Sequence, residues 1–106
     1  MIKCADIIKF RRKLIDIMKE TNNKRDEKFS NYYVMLDDYL TKQLTKNHTT
    51  YKEFHRIKFS SFSGIDNYGN SWVQNPNIFK EGCEKLLLFF DKIINDNKSI
   101  YCLWKK

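Results

Sequence analysis

The chain has 106 residues, 42% hydrophobic and 15% aromatic, with 20 Lys or Arg against 13 Asp or Glu for a formal net charge of +7. That length and apolar content predict one domain over residues 1–106 and exclude a disordered chain. The longest apolar runs, Leu86–Phe90 and Ile100–Trp104, fall far short of the ~20 residues that span a bilayer, so no membrane partner is expected.

The first predicted element is an amphipathic helix from Asp6 to about Glu20. Ile7, Phe10, Leu14, Ile17 and Met18 recur at steps of three and four, the spacing that gathers side chains on one helical face. Inside it lies the run Lys9-Phe10-Arg11-Arg12-Lys13. The first 28 residues hold nine basic and five acidic residues, so more than half of the excess positive charge sits there. Sixteen of the twenty basic residues are Lys, and Asn and Ile are abundant, which AT-rich coding also produces. That origin explains the 9–13 run less well, because two of the four arginines fall in it. Fixed positive charge at helical spacing is a docking surface for phosphates or for an acidic protein face.

Thr21-Asn22-Asn23 ends the helix, and Lys24 to Lys28 reads as a polar connector. A second helix is expected from about Ser30 to Lys46, with Phe29, Tyr32, Tyr33, Leu36, Tyr39, Leu40 and Leu44 on its apolar side and Ser30 as N-cap. Thr50 and Glu53 fit a capping box, so a short helix through Phe54 and Ile57 is predicted next. Ile57-Lys58-Phe59 alternates as a strand would, and an extended piece is expected there.

Residues 60–76 hold two of the three glycines, the only proline, and Phe62, Tyr68 and Trp72. A loop this long without regular structure is uncommon in a compact domain and often functional. The last helix starts with Asn75 capping and Pro76 in the first position, or with Asn77 capping one turn later. Phe79, Cys83, Leu86, Leu87, Phe90, Ile93 and Ile94 form its apolar stripe, and Gly82 inside it suggests close approach of the Tyr68–Trp72 loop. The tail Ile100–Trp104 is apolar and β-prone. The expected fold is mainly α: a small bundle of about four helices with, at most, a minimal two-stranded element pairing 57–59 with 100–104.

Catalytic and metal signatures are missing. His48 and His55 stand seven apart, and Cys4, Cys83 and Cys102 form no C-x-x-C pair, so neither metal nor cofactor is expected. The cysteines read as reduced thiols, and Lys3, Asp6 and Lys9 interrupt any apolar leader. A cytoplasmic protein is therefore expected. Cys83 with His55, oriented by Asp66, is the one conceivable nucleophilic site. Cys83 lies between Phe79 and Leu86 on an apolar face, where a cysteine packs as a small hydrophobe. Asp37 and Asp38 are neighbours on a helix, so their carboxylates diverge.

The expected partner-binding residues are Lys9, Arg11, Arg12, Lys13, Lys19, Arg25, Tyr68 and Trp72. They predict a non-enzymatic, basic interaction protein that docks on a nucleic-acid-handling protein or nucleoprotein complex, since interface centres favour aromatic residues and Arg. The alternative is direct nucleic-acid binding, with Lys24 added to the phosphate contacts. A small enzyme with a Cys/His site is the remaining alternative. In size and lack of catalytic motifs the chain resembles phage-encoded inhibitors of host defence, such as anti-CRISPR proteins. The stretch Phe54-His55-Arg56-Ile57-Lys58-Phe59-Ser60, followed by Phe79, Gly82 and Leu86-Leu87, resembles a segment of some prokaryotic defence-associated proteins, and that resemblance implies a phage–host setting but no activity. The oligomeric state is left open.

Overall fold

The computed structural model describes residues 2–44, 47–62 and 76–96. They form four helices: α1 Cys4–Glu20, α2 Glu27–Gln43, α3 His48–Ser61 and α4 Pro76–Asp96. No strand occurs among the described residues. Ile57–Phe59 lies within α3, which overturns the extended reading, and its proposed partner, 100–104, lies outside the described residues.

The helix ends follow local hydrogen bonding. α1 stops where Thr21 turns extended, with its N–H still bonded to the Ile17 carbonyl. Asn23 N–H then donates to Thr21 Oγ1 at 3.2 Å, and Arg25 N–H donates to Asn23 Oδ1 at 2.8 Å. α2 begins earlier than expected. Asp26 is its cap, accepting Lys28 N–H at 2.8 Å, while Ser30 is already helical and donates its hydroxyl to the Lys24 carbonyl. An aspartate here also places negative charge at the positive end of the helix dipole. α3 is capped by Asn47, whose Oδ1 accepts Thr50 N–H at 3.2 Å, in place of the expected Thr50–Glu53 box. α4 starts at Pro76 as expected, because a proline costs no hydrogen bond in the first turn.

The four helices run up and down. α1 and α2 are antiparallel, with Asp6 beside Tyr39 at one end and Glu20 beside Lys28 at the other. α3 and α4 are antiparallel too, with Phe54 against Phe89 and Ser61 against Gly82. α4 packs against both α1 and α3. The short connections from α1 to α2 and from α2 to α3 favour antiparallel neighbours.

One apolar core joins all four helices. Ile7, Leu14, Leu36, Leu40, Leu86 and Phe90 are fully buried, each worth roughly 1.5–3 kcal/mol relative to exposure. Aromatic rings concentrate at one end. Phe29 meets Phe79 edge-on at 4.9 Å, Phe62 at 5.3 Å and Tyr33 at 5.6 Å. The backbones of α3 and α4 close up at that end through Gly82. A Cβ added there would stand 2.4 Å from Ser61 Cβ and 2.7 Å from Phe62 Cζ. The glycine thus accommodates Ser61 and Phe62; the Tyr68–Trp72 loop named for this role lies outside the described residues.

A ring of polar contacts ties the bundle from outside. Arg11 on α1 holds Asp91 on α4, Lys92 on α4 holds Glu53 on α3, and Lys58 on α3 holds Asp37 on α2. Tyr39 on α2 closes the circuit by donating to Asp6 Oδ2 on α1 at 3.1 Å and accepting Lys3 N–H at 3.3 Å. Surface ion pairs contribute little stability individually; these join each helix to its neighbours around the core.

Candidate functional site

Successive residues of a helix differ by about 100° in direction, and that rotation divides the basic cluster of α1. Lys9, Arg12, Lys13 and Lys19 are exposed on one face. Among the described residues, none of the four makes an ion pair. Asp16 shares this face and offsets part of its charge, while Glu20 is occupied by Lys28. Arg11 points elsewhere. It is half-buried against α4, with Nε 2.8 Å from Asp91 Oδ1, so it leaves the expected positive face and becomes a structural tie.

The other expected residues scatter. Arg25 is exposed in the connector. Lys24 beside it is half-buried, and desolvation pushes its ammonium down to about 8. Tyr68 and Trp72 lie outside the described residues.

A second surface was not anticipated. Along α3, Tyr51, His55 and Phe59 follow one another at steps of four. The Tyr51 and His55 rings stack at 6.0 Å, and His55 meets Phe59 edge-on at 5.8 Å. Tyr51 rests on the core, His55 is exposed and Phe59 is 61% exposed. Lys52 and Arg56 run beside this row on the same helix. Beyond them a groove between α3 and α4, about 580 Å³ in volume, is lined by Arg56, Lys85 and Lys92 over a floor of Ile57 and Phe89. Leu88, 68% exposed, stands on its α4 wall. Glu53 is the only carboxylate among the described lining residues, and it is bound by Lys92 at 2.9 Å. That contact holds the Lys92 ammonium above its ordinary range.

The helical register of 57–59 creates this surface, which a strand reading of the same residues conceals. Read as a strand, Ile57 and Phe59 share one face. On a helix they diverge by about 200°, so Ile57 is buried and Phe59 faces out beside Arg56. The signal available in the sequence was Lys52, Arg56 and Phe59 at steps of four and three.

The conceivable nucleophilic pair is not assembled, and Asp66, its expected orienter, lies outside the described residues. Cys83 is sealed in the core, where burial pushes its thiol up to about 12, while His55 stands outside between two rings. Asp37 and Asp38 diverge as expected, to Lys58 at 2.9 Å and Lys42 at 3.2 Å. No group of three or more His, Cys, Asp or Glu among the described residues could hold a metal ion. Cys83 is a free thiol, whereas Cys4 is disulfide-bonded. The expectation of three reduced thiols fails at Cys4, and the argument it lent to a cytoplasmic compartment goes with it. No helix among the described residues is long and apolar enough to cross a membrane. Comparison with known protein families, curated proteins and solved structures gives no match to any of the three.

Proposed function

We propose that the protein is a non-enzymatic interaction protein that docks through the outer face of α1 on an acidic surface of a nucleic-acid-handling protein or nucleoprotein complex, and inhibits or adapts it. The observation that carries this reading is the set of four exposed α1 cations, Lys9, Arg12, Lys13 and Lys19, none ion-paired with a described residue. Asp16 offsets part of this charge, and a net positive face remains. Like-signed exposed charge speeds encounter with an anionic partner and selects against basic ones. The setting proposed is that of a phage-type inhibitor of host defence, such as an anti-CRISPR protein.

Affinity capture from the natural host tests the proposal, with and without nuclease treatment. The intact chain is expected to retain one stoichiometric protein or ribonucleoprotein. Arg12→Glu combined with Lys13→Glu is expected to lose it, and Arg11→Ala to keep it. Capture that is empty, or unchanged by the double charge reversal, would overturn the reading.

A further inference from the structure

We infer that the α3–α4 surface is a binding groove for single-stranded nucleic acid, a function that goes beyond docking through α1 and rests on different residues. Two independent features meet there. The first is a braced aromatic platform. Phe59 is held edge-on by His55, His55 is stacked on Tyr51, and Tyr51 is anchored on the core. An isolated surface phenylalanine would be free to lie flat against its neighbours. This one is propped with most of its ring in solvent, which leaves a π-face for an unpaired base.

The second feature is a rail of positive charge beside that platform. Lys52 and Arg56 follow the aromatic row along α3, and Lys85 and Lys92 face them across the groove. Adjoining depressions share Arg56 and Ser60, so the platform and the rail form one continuous surface. Glu53 neutralises Lys92, which leaves Lys52, Arg56 and Lys85 for phosphates. Aromatic stacking beside a cationic track is how proteins hold single strands without reading sequence. A duplex hides its base faces and gains nothing from Phe59, so the arrangement favours the single strand.

The test uses the full chain and a fluorescein-labelled 15-residue oligo(dT), followed by anisotropy between 50 and 200 mM salt. Three neutralised phosphates predict a slope of log K against log[salt] of about −2. Phe59→Ala is expected to weaken binding roughly fivefold to 150-fold, the ~1–3 kcal/mol of one stacked base. Because Phe59 is exposed, this variant should fold, which circular dichroism checks. Lys52→Ala with Arg56→Ala should bring the slope to about −0.7. Arg12→Glu with Lys13→Glu should leave the affinity within about twofold after the change in net charge.

Several results would overturn the inference: no binding at 50 mM salt, a duplex of equal length bound as tightly, or an affinity indifferent to Phe59→Ala. Displacement of the labelled strand by polyglutamate as readily as by unlabelled oligo(dT) would do so too, by showing a surface for acidic protein segments. Failure here leaves capture through α1 untouched, and failure of that capture leaves the oligonucleotide result standing.

Discussion

The guanidinium of Arg11 on α1 holds the carboxylate of Asp91 on α4, Nε to Oδ1 at 2.8 Å. The adjacent residue on α4, Lys92, reaches the opposite way to Glu53 on α3. Two neighbours in sequence thus fasten the same helix to both of its flanking partners. Arg11 is 34% exposed and Asp91 46%, so water screens the pair, and its contribution to stability stays within about 1 kcal/mol. Arg11→Ala is therefore expected to lower the urea midpoint slightly while leaving partner capture intact. Arg12→Glu with Lys13→Glu should do the reverse. Equilibrium unfolding run beside the capture assay checks both.

Gly82 predicts a larger effect. Alanine favours a helix over glycine by up to ~1 kcal/mol, and on an open face Gly82→Ala would stabilise. Here the new methyl would overlap Ser61 and Phe62, and overpacking costs typically ~1–3 kcal/mol, occasionally more. The net expectation is a loss of on the order of 1–2 kcal/mol, read as a lower urea midpoint. A stabilised variant would show that α3 and α4 do not approach this closely.

Tyr32 is 1% exposed, and its hydroxyl finds no hydrogen-bond partner among the described residues. Burial raises its ionisation well above the ordinary tyrosine value. An unsatisfied buried hydroxyl costs about 1–3 kcal/mol. Tyr32→Phe keeps the ring contacts with Phe10 and Phe29 and removes that cost. It should be neutral or raise the thermal midpoint, and a clear loss of stability would reveal a hidden partner for the hydroxyl.

Cys83 makes stability depend on pH in a stated direction. Its thiol ionises near 9 when unfolded and only near 12 when folded. Below pH 9 both states are protonated, and its contribution is fully present. Between 9 and 12 only the unfolded state loses the proton, so unfolding is increasingly favoured, by ~1.4 kcal/mol per pH unit for this group. Cys83→Ala should therefore show a shallower fall of stability across that window. Tyr32 and Tyr33, raised by the same burial, add slope in the same sense at higher pH in both proteins. Peptide mapping after thiol labelling at pH 8 should find Cys83 modified only in denaturant.

The apolar stripes of α1, α2 and α4 were legible in the sequence because burial needs a repeat of three and four, and Ile7-Phe10-Leu14-Ile17 or Phe79-Cys83-Leu86-Phe90 supplies it. Caps were harder to place. Ser30 and Thr50 have the right chemistry, yet Asp26 and Asn47 sit where the backbone first turns and their side chains reach the free N–H groups. The three alternating residues 57–59 fit a strand as well as a helix, so their sequence alone does not separate the two. Asn47's cap and the packing of Ile57 and Phe54 into the core settle it as helix.

The sequence by itself determined that four amphipathic helices would bury one oily core and that α1 would carry an excess of positive charge. Only the tertiary structure decided which of those charges remain available. Arg11 is taken by Asp91, eighty residues away, while Arg56 of α3 and Lys85 of α4 face each other across a groove, a pairing that no local spacing reveals. The reason is physical: a repeat of three and four sets which way each side chain points from its own helix, but the direction of a neighbouring helix and the charges it brings arise only when the helices pack.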